Sequence, residues 1–194
     1  TKEGYFTRTS NRHDYALAPF SKTALDSLKD AGLDVIGVGK IPDIFVNQGI
    51  TRKIKTVSNE DGMNKTIELA SDNFNGLAFI NLVDFDAVYG HRRNAAGYGK
   101  AIEEFDVQLG ELINELKNDD LLMVTADHGN DPTYRGTDHT REQVPLIIYS
   151  KQFNEMKVLN DSNSFGIIGS TICDNFNVKY NGIGSSILEL FKFI

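Results

Sequence analysis

Cysteine is almost missing from this sequence: Cys173 is the only one among 194 residues. An intrachain disulfide and a thiolate-rich zinc site are both excluded, and a cytoplasmic location is expected. The run IIGSTICDNF around it reads as an amphipathic helix, so Cys173 is expected as a small core residue rather than a nucleophile. Long apolar runs are lacking as well, since none approaches the roughly 20 residues that a membrane helix needs. The opening TKEGYFTRTSNRHDY is polar and aromatic, without the apolar stretch of a secretory signal. Positive charge is scarce: 20 Lys and Arg against 27 Asp and Glu give a formal net charge of −7, with no basic block. Neither a membrane nor a nucleic acid is therefore expected as a partner. Thr1 stands where an initiator Met would, which predicts a longer gene product.

What is present is ordinary globular material, with 40% hydrophobic and 24% charged residues. A chain of this size can bury roughly 70% of its unfolded surface in one domain. Ser21 is placed to cap a helix whose apolar positions Ala24, Leu25, Leu28 and Ala31 fall at helical spacing, with Gly32 at its end. GLDVIGVGK then reads as a buried strand. A helix over 62–71 leads to the apolar run GLAFINLVDF, and a stripe through Ile102, Phe105, Leu109, Leu112, Ile113 and Leu116 leads, past KNDD, to DLLMVTADHG. VPLIIYS at 144–150 adds a strand, helices are expected near 164–176 and 184–193, and 41–60 is expected as loops plus a short strand. Helix alternating with continuous apolar strand predicts an α/β fold, with a mostly parallel sheet and helices on both faces.

In such sheets ligands bind beyond the carboxyl ends of the strands, and that is where the histidines fall. Three of the four lie beside aspartates, in DFDAVYGH, ADHGND and GTDHT, whereas His13 stands apart in NRHDY. One such cluster fits a capped turn equally well; three at strand ends point to a metal centre. Imidazole and carboxylate without thiolate suit manganese, zinc, iron or magnesium, and two ions could be served. Asp127 and His128 are adjacent, so both can face one site only if the chain turns there, which Gly129 permits. Asp131 and Asp138 could orient the imidazoles. GKIPD lacks the spacing of a phosphate loop, and Asp119 and Asp120 read as a turn.

NLVDFDAVYGHRR, TADHGNDPTYRGTDHTRE and VPLIIYS resemble the metal-binding half of the phosphopentomutases, within the alkaline phosphatase superfamily. FTRTSNRHDYAL resembles the segment in which that family's chain returns from its cap domain, and the likeness covers nearly all of 5–150. The resemblance implies a three-layer alkaline-phosphatase-like core, with 1–194 its C-terminal part, 1–20 the return segment and the cap domain absent. It implies two manganese ions, one held by Asp86, His91 and His139 and the other by Asp127 and His128. A further Asp ligand and the threonine nucleophile belong to an N-terminal segment that these residues do not contain, so no catalytic nucleophile is expected here. The implied activity interconverts ribose or deoxyribose 1- and 5-phosphates, with a bisphosphorylated sugar as activator. Phosphate would need cations that are not metal ligands; Arg8, Arg12, Lys40, Arg92, Arg93 and Arg141 are candidates, with Arg8 and Lys40 preferred as substrate contacts. Two alternatives stand beside this reading. One is a cofactor-independent phosphoglycerate mutase or metal-dependent phosphohydrolase of the same superfamily; the other is a catalytically silent metal-binding interaction domain.

Overall fold

Thr23, not Ser21, opens the first helix of the computed structural model, which describes Gly4 and residues 16–191. The Thr23 hydroxyl accepts from the Asp26 amide at 3.3 Å while the Asp26 carboxylate accepts from the Thr23 amide at 2.7 Å. This reciprocal cap needs an acidic group three residues on, which Thr23 has and Ser21 lacks. Helix α1 (Ala24–Asp30) buries Leu25 and Leu28, and Gly32 takes the left-handed conformation (φ +80°) expected after a helix end.

Strand β1 (Asp34–Val38) is the centre of the molecule. It runs parallel to β2 (Arg52–Ile54) on one side and to β3 (Gly76–Ile80) on the other. Because side chains alternate along a strand, β1 feeds two cores. Val35 packs with Leu25 and Leu28 of α1, Ile41, Ile50 and Cys173. Ile36 and Val38 pack with Leu69 of α3 (Asn59–Ser71). Helices thus cover both faces, as expected of an α/β layer. The segment before β2 contains a one-turn helix α2 (Ile41–Ile44) besides its loops. Helix α4 (Ala95–Glu115) packs against α3.

Two expectations are corrected. The strands form two sheets among the described residues, because β4 (Leu122–Thr125) pairs with β5 (Leu146–Tyr149) in a separate antiparallel ribbon. An apolar run such as VPLIIYS carries no signal of strand direction, so the antiparallel pairing was not legible. The second correction is at the C-terminal end: α5 (Gly166–Asn175) forms as expected, but the described part of 184–193 makes only a 3₁₀ turn, Leu188–Leu190. There the Ile187 amide donates to the Thr171 hydroxyl and the Leu188 amide to Ser186 Oγ, which divert them from helical partners. Cys173, 1% exposed, is a core residue, and burial pushes its thiol up to about 11. No helix among the described residues is long and apolar enough to cross a membrane.

Candidate metal centre

The run after β3 does not continue as an α-helix but makes a π-helical turn over Phe85–Gly90, capped by His91. In an α-helix, residues five apart point about 140° away from each other. The wider turn closes with the His91 amide donating to the Asp86 carbonyl at 2.9 Å, and it sets His91 Nε2 3.3 Å from Asp86 Oδ2. Phe85 anchors the turn on α4, its ring 5.6 Å from that of Tyr98 and 6.1 Å from that of Phe105. Asp84 faces elsewhere, exchanging hydrogen bonds with Asn59 at the start of α3.

The other clusters arrive from the connection between β4 and β5. Asp127 and His128 occupy a bend just past β4, so the turn lies at these residues themselves. Gly129 is needed for another reason: it bridges to Thr140, and a Cβ there would lie 1.7 Å from Glu142 Oε2 and 2.7 Å from the Thr140 carbonyl. Gly90 has a similar role, since a Cβ would meet the Asn130 amide at 2.5 Å. That approach lets Asn130 Nδ2 donate to Asp86 Oδ1 at 2.6 Å.

Asp86, His128 and His139 each offer a ligand atom, all within 4.8 Å of one another. His139 Nε2 is 3.2 Å from Asp86 Oδ1, and the rings of His128 and His139 stack at 3.7 Å. His91 adds its Nε2 at the other oxygen of the same carboxylate, with its ring 4.8 Å from that of His139. Asp127 touches the group through His128, with its Oδ1 3.7 Å from His128 Nε2, and its side chain is 72% exposed. Asp86, His91, His128 and His139 therefore gather in one cluster, with Asp127 at its exposed edge beside His128.

The ring contacts orient the imidazoles. His91 Nδ1 faces the Thr137 carbonyl and His128 Nδ1 the Gly129 carbonyl; a carbonyl only accepts, so each Nδ1 is the donor in its contact and each ring is oriented with Nε2 toward a carboxylate. The local field is negative: Tyr98 has its pKa raised by burial and then by the charges of Asp86 and Glu142. Imidazoles, carboxylates, no thiolate and a negative field fit a divalent ion.

The sequence profile of the Metalloenzyme superfamily matches residues 2–180. This chain belongs to that superfamily. Within the Metalloenzyme superfamily it is 58% identical over 190 residues to a phosphopentomutase of Agathobacter rectalis, an alignment covering 97% of this chain and 48% of that protein. The chain thus spans about half the length of this curated relative. Among solved structures, Leishmania mexicana phosphoglycerate mutase at low cobalt concentration superposes with a TM-score of 0.67 at 18% identity, over 87% of this chain and 39% of that one. The PH0037 protein of Pyrococcus horikoshii gives a TM-score of 0.56 at 16% identity, over 81% and 46%. At such identities these two show the shared superfamily fold alone, an alkaline-phosphatase-like core.

Of the expected phosphate contacts, Lys40 lies just past the carboxyl end of β1, which is level with that of β3 through the Val38 to Ile80 pairing. It therefore lies at the same end of the three-stranded sheet as the β3 strand that leads to Asp86 and His91. Arg8, Arg12 and also His13 lie outside the described residues. Arg92 and Arg141 are exposed, whereas Arg93 is turned into the loop that carries His139. Asp131 accepts from the Thr133 amide and hydroxyl, holding its own turn, and Asp138 offers its carbonyl to Arg93. Asn130, buried at 8% exposure, and the Thr137 carbonyl are the functional groups that sequence reasoning missed. A backbone carbonyl carries no sequence signal, and Asn130 showed only as one more polar residue in ADHGND.

Proposed function

We propose that the protein to which this sequence belongs is a phosphopentomutase, an isomerase interconverting ribose or deoxyribose 1-phosphate and 5-phosphate by two-metal phosphoryl transfer. One observation carries the reading: 58% identity to a phosphopentomutase runs through the segment in which Asp86, His91, His128 and His139 converge. Asp86, His91 and His139 would hold one manganese ion, and Asp127 and His128 would contribute to a second. Bound manganese would neutralise charge on the transferring phosphoryl group and activate the attacking oxygen. The chain's own residues do the rest. Asp86 is the centre of the cluster, Nδ1 contacts orient the His91 and His128 rings, and Lys40 and Arg8 would bind the pentose phosphate. The threonine nucleophile, one further Asp ligand and the cap domain are assigned to the half of the relative's length without a counterpart here, with 1–20 as the return segment. A bisphosphorylated sugar activator and a cytoplasmic location complete the proposal.

The test uses the complete gene product with manganese, following ribose 5-phosphate and ribose 1-phosphate by phosphorus NMR. Interconversion should occur and should drop by several powers of ten in Asp86→Ala, while the 194-residue chain alone should show little turnover. Turnover of phosphoglycerate or a nitrophenyl phosphate in place of pentose phosphate would overturn it.

A further inference from the structure

Arg93 invites a phosphate-binding role by its place in GHRR, but its geometry gives it different work. Its Nε donates to the Gly136 carbonyl, Nη1 to the Gly90 carbonyl at 3.2 Å, to Asn130 Oδ1 at 2.9 Å and to the Asp131 carbonyl at 2.7 Å, and Nη2 to the Asp138 carbonyl at 2.6 Å. Five acceptors converge on one guanidinium, so little of its fork is left for a substrate phosphate. The backbone is committed as well: Arg93 sits at φ +53°, a left-handed conformation that a non-glycine residue keeps only when its surroundings hold it there. This turn sends the side chain back across the cluster rather than outward like Arg92.

What Arg93 grips is the segment that delivers a ligand. The carbonyls of Gly136, Thr137 and Asp138 are taken in succession by Arg93, His91 and Arg93, and the next residue is His139. Between β4 and β5 the chain forms no helix and no strand apart from the Gly129–Thr140 bridge, so nothing regular sets the position of His139. The same guanidinium fixes the Asn130 amide: with Oδ1 facing Arg93, Nδ2 is left to donate to Asp86 Oδ1.

We propose that Arg93 is a positioning residue of the metal centre, clipping the 130–138 segment to the turn after Asp86 so that His139 and Asn130 meet the Asp86 carboxylate. The inference rests on the metal reading of the cluster. A lysine cannot replace it fully, because an ammonium has three donors and no planar fork to span acceptors on three sides.

The test is a manganese titration of the 194-residue chain by electron paramagnetic resonance, in which the free-ion signal falls as the ion binds. It compares the wild type with Arg93→Gln, Arg93→Lys, His139→Ala and each Arg93 variant combined with His139→Ala. Circular dichroism in chelator confirms that each is folded at the working temperature. Arg93→Gln should weaken manganese binding about 10- to 100-fold and Arg93→Lys by less. Both losses should largely vanish once His139 is already absent, because the clip then has no imidazole to deliver. If Arg93→Gln does not fold, the lysine pair decides. Wild-type affinity in the folded Arg93 variants, or an undiminished loss in the His139→Ala background, overturns the clip. No binding by the wild-type chain overturns the metal reading itself.

Discussion

The half of the molecule around β1 and the half that carries the histidines are stabilised by different physics. In the first, Val35 and Val38 are wholly buried and alternate residues of one strand fill two apolar clusters. In the second, neither cluster includes a residue of β4 or β5, and Ile147 of β5 remains 56% exposed. Order there comes from directional bonds: the Arg93 fork, the Asn130 amide on Asp86, and Thr140, which accepts from the Asp131 amide and donates to Glu142. Burial is non-directional and tolerates small displacements, while hydrogen bonds fix the direction as well as the distance of the groups they join. The two halves therefore differ in what holds them in shape, apolar burial in one and directional hydrogen bonds in the other.

The strongest way to break this division is to damage the dry half. Leu28, fully buried in α1, should cost about 2–5 kcal/mol when replaced in Leu28→Ala, read by chemical denaturation. If the halves are independent, manganese affinity of the folded fraction should stay unchanged; a parallel loss of affinity would show that the β1 core also holds the cluster in shape. The complementary experiment acts on the wet half. Manganese at a hundredfold excess over its dissociation constant should add about 2.7 kcal/mol and raise the melting temperature, and chelator should remove the gain. A melting temperature indifferent to both would remove the metal reading of Asp86, His91, His128 and His139.

The same contrast explains what the sequence disclosed. Helical stripes and apolar strands report burial, so α1, α3, α4 and the β1 and β3 strands were legible to within a few residues, and the Asp and His clusters stood out because they follow strands. Ser21 and Thr23 both precede the stripe as possible caps; only the Asp26 carboxylate, three residues beyond Thr23, distinguishes the two. The direction of β5 was hidden because its apolar run fits either orientation. The Arg93 and Thr137 contacts were hidden because four of the five acceptors of Arg93 and the partner of His91 are main-chain carbonyls, which every residue possesses.

The smallest expected effect sharpens the comparison at a place where the dry half relies on polar geometry, the start of α1. Burial pushes the Asp26 carboxyl up, but hydrogen bonds from the Thr23 amide, Gln48 and the Thr23 hydroxyl, with the charge of Lys22, outweigh it and leave the pKa below its ordinary value. A lowered folded-state pKa means stability that is present above the unfolded value, near 3.8, and lost as the pH falls through the folded one. Asp61, lowered chiefly by its bond to Lys65 and then by the Val57 amide, adds a loss of the same sign in the same window. Thr23→Ala should cost about 1 kcal/mol at neutral pH. It should also flatten, without abolishing, the fall in stability between about pH 5 and pH 2, since the Thr23 amide and Asp61 still favour ionised carboxylates. Denaturant melts of both proteins across that range measure the slope. An identical acid loss in the two would show that Asp26 is not the group being titrated, and that the cap stabilises α1 through its neutral hydrogen bond alone.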